Sequence, residues 1–217
     1  MRIPSFDDVQ AAAARLDAHA RRTPLLTGTP LDARVGGKVL LKLETLQHTG
    51  SFKFLGGFNR MVQLDADQGR TGVVEFSSGN HAQGVAAAAR LLGIPATIVM
   101  PSDAPRLKLA NTRALGAQVV EYDRLRQSRE EIAAALAHEA GAVLVPSFDD
   151  PDIIAGQGTV GLEIMDQSAA IGLPPDDVLV CCSGGGLVAG IALAAHHFRP
   201  ATRVWSVEPE DLSLIHI

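Results

Sequence analysis

Cysteine is scarce in this sequence, and its placement excludes two classes of protein. The 217 residues include only two cysteines, Cys181 and Cys182, which are adjacent in the chain. Adjacent cysteines rarely pair with each other, so a disulfide-stapled fold is not expected, and the spacing is not that of a metal site. A chain without disulfides is typical of a reducing compartment, which favours the cytoplasm.

Basic charge and long apolar runs are scarce as well. Lys and Arg number 19 against 24 Asp and Glu, for a formal net charge of −5. Nucleic acids and anionic membrane surfaces usually bind a basic face, so neither is expected as a partner. No apolar stretch is long enough to span a bilayer. Asp7 and Asp8 precede any long apolar run, so a secretory signal is not expected either.

What the sequence does contain is an alternation of strand and helix patterns. Segments 73–76, 96–100 and 118–122 have the composition of buried strands, and each is followed by a helical pattern. This alternation predicts a parallel sheet covered by helices. Residues 146–156 are polar and contain proline, which predicts a joint between domains, with a further helix over about 157–170.

A glycine-rich loop follows a predicted strand at 178–182 and precedes a helical pattern. Its sequence is Ser183-Gly184-Gly185-Gly186. Consecutive glycines let successive backbone N–H groups face one point at a helix N-terminus, which makes a nest for a phosphate dianion. The loop has neither the lysine of a P-loop nor the G-x-G-x-x-G spacing of a dinucleotide fold. A tight turn under close helix packing is the alternative that this motif leaves open.

Two further segments contain groups that are suited to ligand binding or catalysis. The segment 77–81 (SSGNH) offers hydroxyls, an amide and free N–H donors at a helix start, which suit a carboxylate or a ring oxygen. A simple capping loop is the alternative.

Lys53 lies between Phe52 and Phe54, where desolvation would lower its pKa and make it a better amine nucleophile. An ordinary surface lysine is the alternative there. A Schiff-base lysine, a phosphate cup and a carboxylate-binding loop are together the parts of a pyridoxal-phosphate site.

The ordered set of motifs resembles the threonine/serine dehydratase family of fold-type II pyridoxal-phosphate enzymes, which includes serine racemase. The matching motifs are Lys42-x-Glu44, 49–53 (TGSFK), 77–84 (SSGNHAQG), 156–159 (GQGT) and 183–187 (SGGGL). The resemblance covers about residues 4–209 and implies an α/β fold of two parallel-sheet domains, of the tryptophan synthase β-like kind. The small domain would span 70–150. The large cofactor-binding domain would combine 1–69 with 151–217 and lack its C-terminal part.

The resemblance also implies roles for individual residues. Lys53 would hold pyridoxal phosphate in a Schiff-base linkage and remove the substrate α-proton, and Ser78 on the opposite face would be a second acid or base. Besides Lys53, the implied cofactor-binding residues are Asn80, Ser183, Gly184, Gly185, Gly186 and Leu187. The implied substrate-binding residues are Ser77, Ser78, Gly79 and His81. Glu208 would be a ligand to a divalent cation, although residues 212–217 depart from the family pattern.

The implied activity is that of a pyridoxal-phosphate-dependent ammonia-lyase. It would convert a small hydroxy amino acid, such as L-threonine or L-serine, to a 2-oxo acid and ammonia. A serine or hydroxyaspartate racemase, a hydroxyaspartate dehydratase and an inactive truncated remnant are the alternatives. The expected partners are the amino acid substrate and, in a full-length protein, further copies of the same chain. A truncated large domain would expose apolar sheet surface, which predicts aggregation.

Overall fold

Short antiparallel strands and helices form the N-terminal part of the molecule. The computed structural model of the chain describes residues 2–77 and 79–210. The elements in this part are α1 (Phe6–Leu16), β1 (Leu25–Leu26), α2 (Leu31–Val35), β2 (Leu41–Lys42), α3 (Lys53–Met61) and α4 (Ala66–Thr71). β1 pairs with β2, and 3-10 turns connect β2 to α3.

A parallel sheet follows. Its strands and helices alternate as β3 (Val73–Phe76), α5 (Asn80–Leu92), β4 (Ala96–Pro101), α6 (Arg106–Ala114), β5 (Gln118–Tyr122), α7 (Arg129–Ala140) and β6 (Val143–Leu144). Every pairing is parallel, and the strand order is β5-β4-β3-β6. The α/β fold with a parallel sheet that the sequence pattern predicted is therefore confirmed.

The last part of the described chain is also built from parallel strands and helices. It consists of α8 (Pro151–Ala170), β7 (Asp177–Cys181), α9 (Gly186–Phe198) and β8 (Arg203–Val207). β7 and β8 pair in parallel, with Leu179 beside Trp205. None of the described helices is both long and apolar enough to cross a bilayer.

The start of α8 corrects one prediction. The joint predicted over 146–156 is wrong in its second half, because the helix already begins at Pro151. The Asp150 side chain accepts hydrogen bonds from the backbone N–H groups of Asp152 and Ile153, at 2.8 and 3.0 Å. Proline is well suited to the first helical position, since its missing N–H would be unpaired there anyway. The proline that suggested a joint is therefore a helix-start signal.

Glycines let the backbone of α8 pack directly against the backbones of the neighbouring helices. A Cβ atom added at Gly156 would lie 2.5 Å from the carbonyl oxygen of Leu55 in α3. One added at Gly190 in α9 would lie 2.6 Å from the Cα atom of Gly158. α8 is thus packed tightly between α3 and α9, so the first turns of those two helices lie on either side of it.

The Lys42-x-Glu44 motif ties the N-terminal part to α8. The Lys42 ammonium group forms an ion pair with Glu163 of α8 and donates to the carbonyl oxygen of Thr23 at 2.6 Å. The Thr23 hydroxyl donates in turn to Glu44 at 2.5 Å. Burial raises the pKa of Glu44, and the nearby negative charge of Glu163 acts in the same direction. This motif therefore has a structural role in holding β2 against α8.

Candidate active site

A cavity of about 170 Å³ lies where the first turns of α3 and α9 meet α8. Its lining residues come from distant parts of the chain and are Phe52, Lys53, Phe148, Gln157 and residues 181–188. The structure therefore brings together the candidate lysine and the glycine-rich loop. All of the predicted phosphate-binding residues, from Ser183 to Leu187, are part of this lining.

Lys53 is the first residue of α3, and its side chain reaches the cavity. Its Nζ atom donates a hydrogen bond to the carbonyl oxygen of Ser147 at 2.8 Å and lies 5.3 Å from the centre of the Phe52 ring. Burial lowers the pKa of Lys53 to about 8, while the electrostatic influence of Glu75 and Cys181 acts in the opposite direction. The alternative of an ordinary surface lysine does not fit these surroundings. A fraction of such a lysine is unprotonated near neutral pH and can add to an aldehyde.

The glycine-rich loop forms a cradle of backbone without side chains. Gly185 has φ of +85°, in the left-handed region that glycine adopts most readily. A Cβ atom at Gly184 would lie 2.2 Å from the Phe148 ring, and one at Gly186 would lie 2.8 Å from the Oε1 atom of Gln157. The loop opens directly into α9, a helix of 13 residues whose first N–H groups have no partner within the helix. This arrangement fits the phosphate group of pyridoxal phosphate.

Gln157 is a lining residue that the site prediction missed. Its Oε1 atom is buried and has no hydrogen-bond partner among the described residues, and its Nε2 atom donates to the carbonyl oxygen of Ser147 at 3.4 Å. Buried polar atoms are normally paired, so an unpaired acceptor beside a cavity fits a bound group that completes the pairing. The signal in the sequence was the GQGT motif, which marked the position without showing its contact with the glycine loop.

In the segment 77–81, the described residues at 77 and 79–81 do not line this cavity, and the helix that they lead into packs against Lys53. A Cβ atom at Gly84, in the first turns of α5, would lie 2.9 Å from the backbone carbonyl carbon of Lys53. Asn80 is the first residue of α5, and Gly79 donates a backbone hydrogen bond to the Ser77 hydroxyl at 3.2 Å. Ser78, the predicted second acid or base, lies outside the described residues.

His81 is buried and neutral. Burial lowers its pKa to about 3, the positive charge of Lys53 acts in the same direction, and the carbonyl oxygens of Val145 and Pro146 only partly offset them. Neither ring nitrogen reaches hydrogen-bond geometry with a described residue. The Lys108 ammonium group would lie 3.2 Å from a Cβ atom at Gly79.

Glu208 follows β8 and contacts the Cys182 thiol. Burial raises the pKa of Cys182, and the contact with Glu208 raises it further. Over residues 2–77 and 79–210, no three or more His, Cys, Asp or Glu side chains are grouped so that they could hold a metal ion. A cation-binding role for Glu208 therefore stays a prediction.

Comparisons with known proteins identify the family of this chain. The family described as "Pyridoxal-phosphate dependent enzyme" matches residues 16–216. The chain is 50% identical to an L-threo-3-hydroxyaspartate ammonia-lyase of Pseudomonas sp, over 97% of this chain and 65% of that protein. It is 44% identical to a serine racemase of Schizosaccharomyces pombe, over 96% of this chain and 63% of that protein.

Comparison with solved structures indicates the same family. The fold is similar to that of a threonine deaminase of T.th., with a TM-score of 0.89 and 48% identity over 95% of this chain and 66% of that one. The chain thus spans about two thirds of the length of the relatives that it matches. The resemblance drawn from the motifs is confirmed, and so is pyridoxal phosphate as the cofactor that it implied. The chain belongs to the fold-type II pyridoxal-phosphate dependent enzymes.

Proposed function

We propose that this protein is an ammonia-lyase that converts a small hydroxy amino acid to a 2-oxo acid and ammonia by β-elimination. The main support is that Lys53, an amine with a pKa of about 8, lines the same cavity as the side-chain-free loop at the start of α9. When bound, pyridoxal phosphate supplies an electron sink that acidifies the α-proton of an attached amino acid.

Lys53 has two tasks in this proposal. Its amine binds the cofactor aldehyde, and it later removes the proton from the substrate α-carbon. Both tasks need the neutral amine, and a pKa of about 8 leaves a fraction of the lysine neutral near pH 7. The hydrogen bond to the Ser147 carbonyl holds the Nζ atom in the cavity at 2.8 Å.

The remaining residues of the proposed site bind and orient the cofactor and the substrate. Backbone N–H groups of the loop 184–187 hold the cofactor phosphate, with Ser183 at the loop entry, and the Asn80 amide contacts the ring oxygen of the cofactor. Ser77, Gly79 and His81 hold the substrate carboxylate. Backbone donors at the first turn of a helix are well suited to both anions.

L-Threonine or L-serine is the proposed substrate. The similarity to a threonine deaminase supports this choice, and the similarity to a hydroxyaspartate ammonia-lyase supports a hydroxy amino acid with a second carboxylate. A racemase is the second candidate, supported by the 44% identity to a serine racemase. In that case Ser78 would exchange a proton on the face opposite Lys53.

The proposal extends to the domain division, the cellular location and the self-association of the protein. We propose a small α/β domain over 70–150, which holds all four strands of the β5-β4-β3-β6 sheet, and a large domain that combines 1–69 with 151–217. We further propose a cytoplasmic location, because the cysteine pattern is that of a reducing compartment. Self-association of the full-length protein is the corresponding proposal for its partners.

Product analysis tests the proposed activity. The protein is incubated with pyridoxal phosphate and, in turn, L-threonine, L-serine and L-threo-3-hydroxyaspartate. We expect equal amounts of 2-oxo acid and ammonia from at least one substrate, and none from Lys53→Ala. Accumulation of the opposite α-enantiomer without 2-oxo acid would favour the racemase. No reaction in any assay would identify this chain as an inactive remnant.

A further inference from the structure

Gln157 is a buried amide that lies between Lys53 and the glycine-rich loop. It belongs to α8, its exposed fraction is 0%, and it lines the same cavity as both of them. Its Oε1 atom has no hydrogen-bond partner among the described residues. A buried amide oxygen without a partner has lost the hydrogen bonds that water gives it in the unfolded chain. Packing alone therefore does not explain an amide at this position.

One hydrogen bond determines which end of the Gln157 amide faces the loop. The Ser147 carbonyl oxygen accepts from the Nε2 atom of Gln157 at 3.4 Å and from the Nζ atom of Lys53 at 2.8 Å. A carbonyl oxygen can only accept, so the amide turns its N–H end toward Ser147. The Oε1 atom then faces the loop, where a Cβ atom added at Gly186 would lie 2.8 Å from it. The free end of Gln157 is thus an acceptor at the start of α9.

The other polar groups of the cavity suit an anion by donating to it. They are the first backbone N–H groups of α9, the Lys53 ammonium group and the Ser183 hydroxyl, which can also accept. The titratable side chains among the described lining residues are Lys53, Cys181 and Cys182, so no carboxylate is among them. Burial raises the pKa of the Cys182 thiol, which keeps it neutral. The Oε1 atom of Gln157 is therefore an acceptor in a cavity that otherwise favours anions.

We propose that Gln157 is a further cofactor-binding residue, whose Oε1 atom accepts a hydrogen bond from a protonated oxygen of the cofactor phosphate. A phosphate monoester dianion has only acceptors and would leave Oε1 unpaired, whereas the singly protonated form has one O–H donor for it. The site thus selects the singly protonated phosphate, although the second pKa of a phosphate monoester is about 6. The inference rests on the proposed binding of the phosphate by the loop 183–187.

Inorganic phosphate and sulfate test this acceptor without the rest of the cofactor. Both are tetrahedral oxyanions, but near neutral pH phosphate carries at least one O–H group and sulfate carries none. Each anion is titrated into the chain, and its Kd is measured by isothermal titration calorimetry. We expect phosphate to bind about tenfold more tightly than sulfate, a difference of about 1.4 kcal/mol. Equal affinities, or a preference for sulfate, would overturn the inference.

Gln157→Met removes the acceptor and keeps a side chain of similar length. The preference for phosphate should be lost, because sulfate no longer leaves a buried oxygen unpaired. Gln157→Leu should behave in the same way, which keeps the comparison usable if one variant does not fold. Gln167→Met is the matched control, since Gln167 lies in the same helix but does not line the cavity, and its amide is bonded to Lys42 and Thr23. A preference that survives in a folded Gln157 variant would overturn the inference.

The ³¹P NMR spectrum of bound pyridoxal phosphate is a second measurement, and it needs no variant. At about pH 7 the phosphate bound to the wild type should have the chemical shift of the singly protonated form, whereas the free cofactor is mainly a dianion. A dianion shift in the bound state would contradict the inference. Binding of neither oxyanion would contradict the phosphate site itself and this inference with it. Oxyanion binding without a Schiff base at Lys53 would contradict only the proposed function.

Discussion

Single residues of the phosphate cradle matter through the side chains that they lack. At Gly186, a Cβ atom would lie 2.8 Å from the Oε1 atom of Gln157 and 3.1 Å from the backbone oxygen of Phe148. Gly186→Ala should therefore displace the loop and weaken pyridoxal-phosphate binding by about tenfold or more, or roughly 1.4 kcal/mol. An absorbance titration gives the Kd. Gly37→Ala, where a Cβ atom meets nothing within 4 Å, should bind as the wild type does. Equal affinity in both variants would exclude a tight cradle.

His81 makes the stability of the fold depend on pH. Burial lowers its pKa to about 3, so the folded state keeps His81 neutral while the unfolded chain takes up a proton below about pH 6.5. The stability that His81 contributes is therefore complete above pH 6.5 and is lost as the pH falls toward 3. Relative to His81→Gln, the wild type should lose about 2 kcal/mol of unfolding free energy between pH 7 and pH 5. Urea unfolding at the two pH values measures this difference, and parallel losses in both proteins would contradict it.

Among elements, the contact between α8 and α9 is sensitive to side-chain size. A Cβ atom at Gly190 would lie 2.5 Å from the carbonyl oxygen of Ile154 and 2.6 Å from the backbone of Gly158. Gly190→Ala should force the helices apart and lower the unfolding free energy by about 1–3 kcal/mol. Gly69→Ala lies in open space and should not destabilise the protein. Urea unfolding of the wild type and the two variants measures these changes in the unfolding free energy. Equal destabilisation by both variants would argue against this close contact.

The elements also show how far the sequence could be interpreted. The segments at 73–76, 96–100 and 118–122 predicted strands that the structure contains, because each contains β-branched residues and follows shortly after a glycine. The start of α8 was missed because its N-cap and proline look like a loop until the hydrogen bonds of Asp150 are seen. The short helices α2 and α4 were missed because they bury no residue and so leave no apolar pattern.

Over the whole molecule, one exposed apolar surface is the outward face of the parallel strands β7 and β8. Leu179 is 71% exposed and lies beside Trp205, which is 50% exposed. Such a face promotes association between molecules, so the chain should aggregate with rising concentration. Leu179→Lys should reduce light scattering at a given concentration, whereas Leu125→Lys, at an isolated side chain that is 90% exposed, should not. Equal effects of the two variants would indicate a general charge effect.

The assembled site could be predicted only in part. The order of motifs identified Lys53 and the loop 183–187, and the structure brings both to one cavity. The Ser147 carbonyl that accepts from Lys53 and the unpaired Oε1 atom of Gln157 could not be predicted, because both depend on how α8 packs between α3 and α9.

The central claim is that Lys53 and the glycine loop form one cofactor site, and an absorbance titration with pyridoxal phosphate tests it most directly. The wild-type chain should develop a Schiff-base band that saturates at one equivalent, and Lys53→Ala should not. Lys38→Ala, at an exposed lysine paired with Asp32, should behave as the wild type. The absence of a band in the wild type, or an unchanged band in Lys53→Ala, would contradict the account.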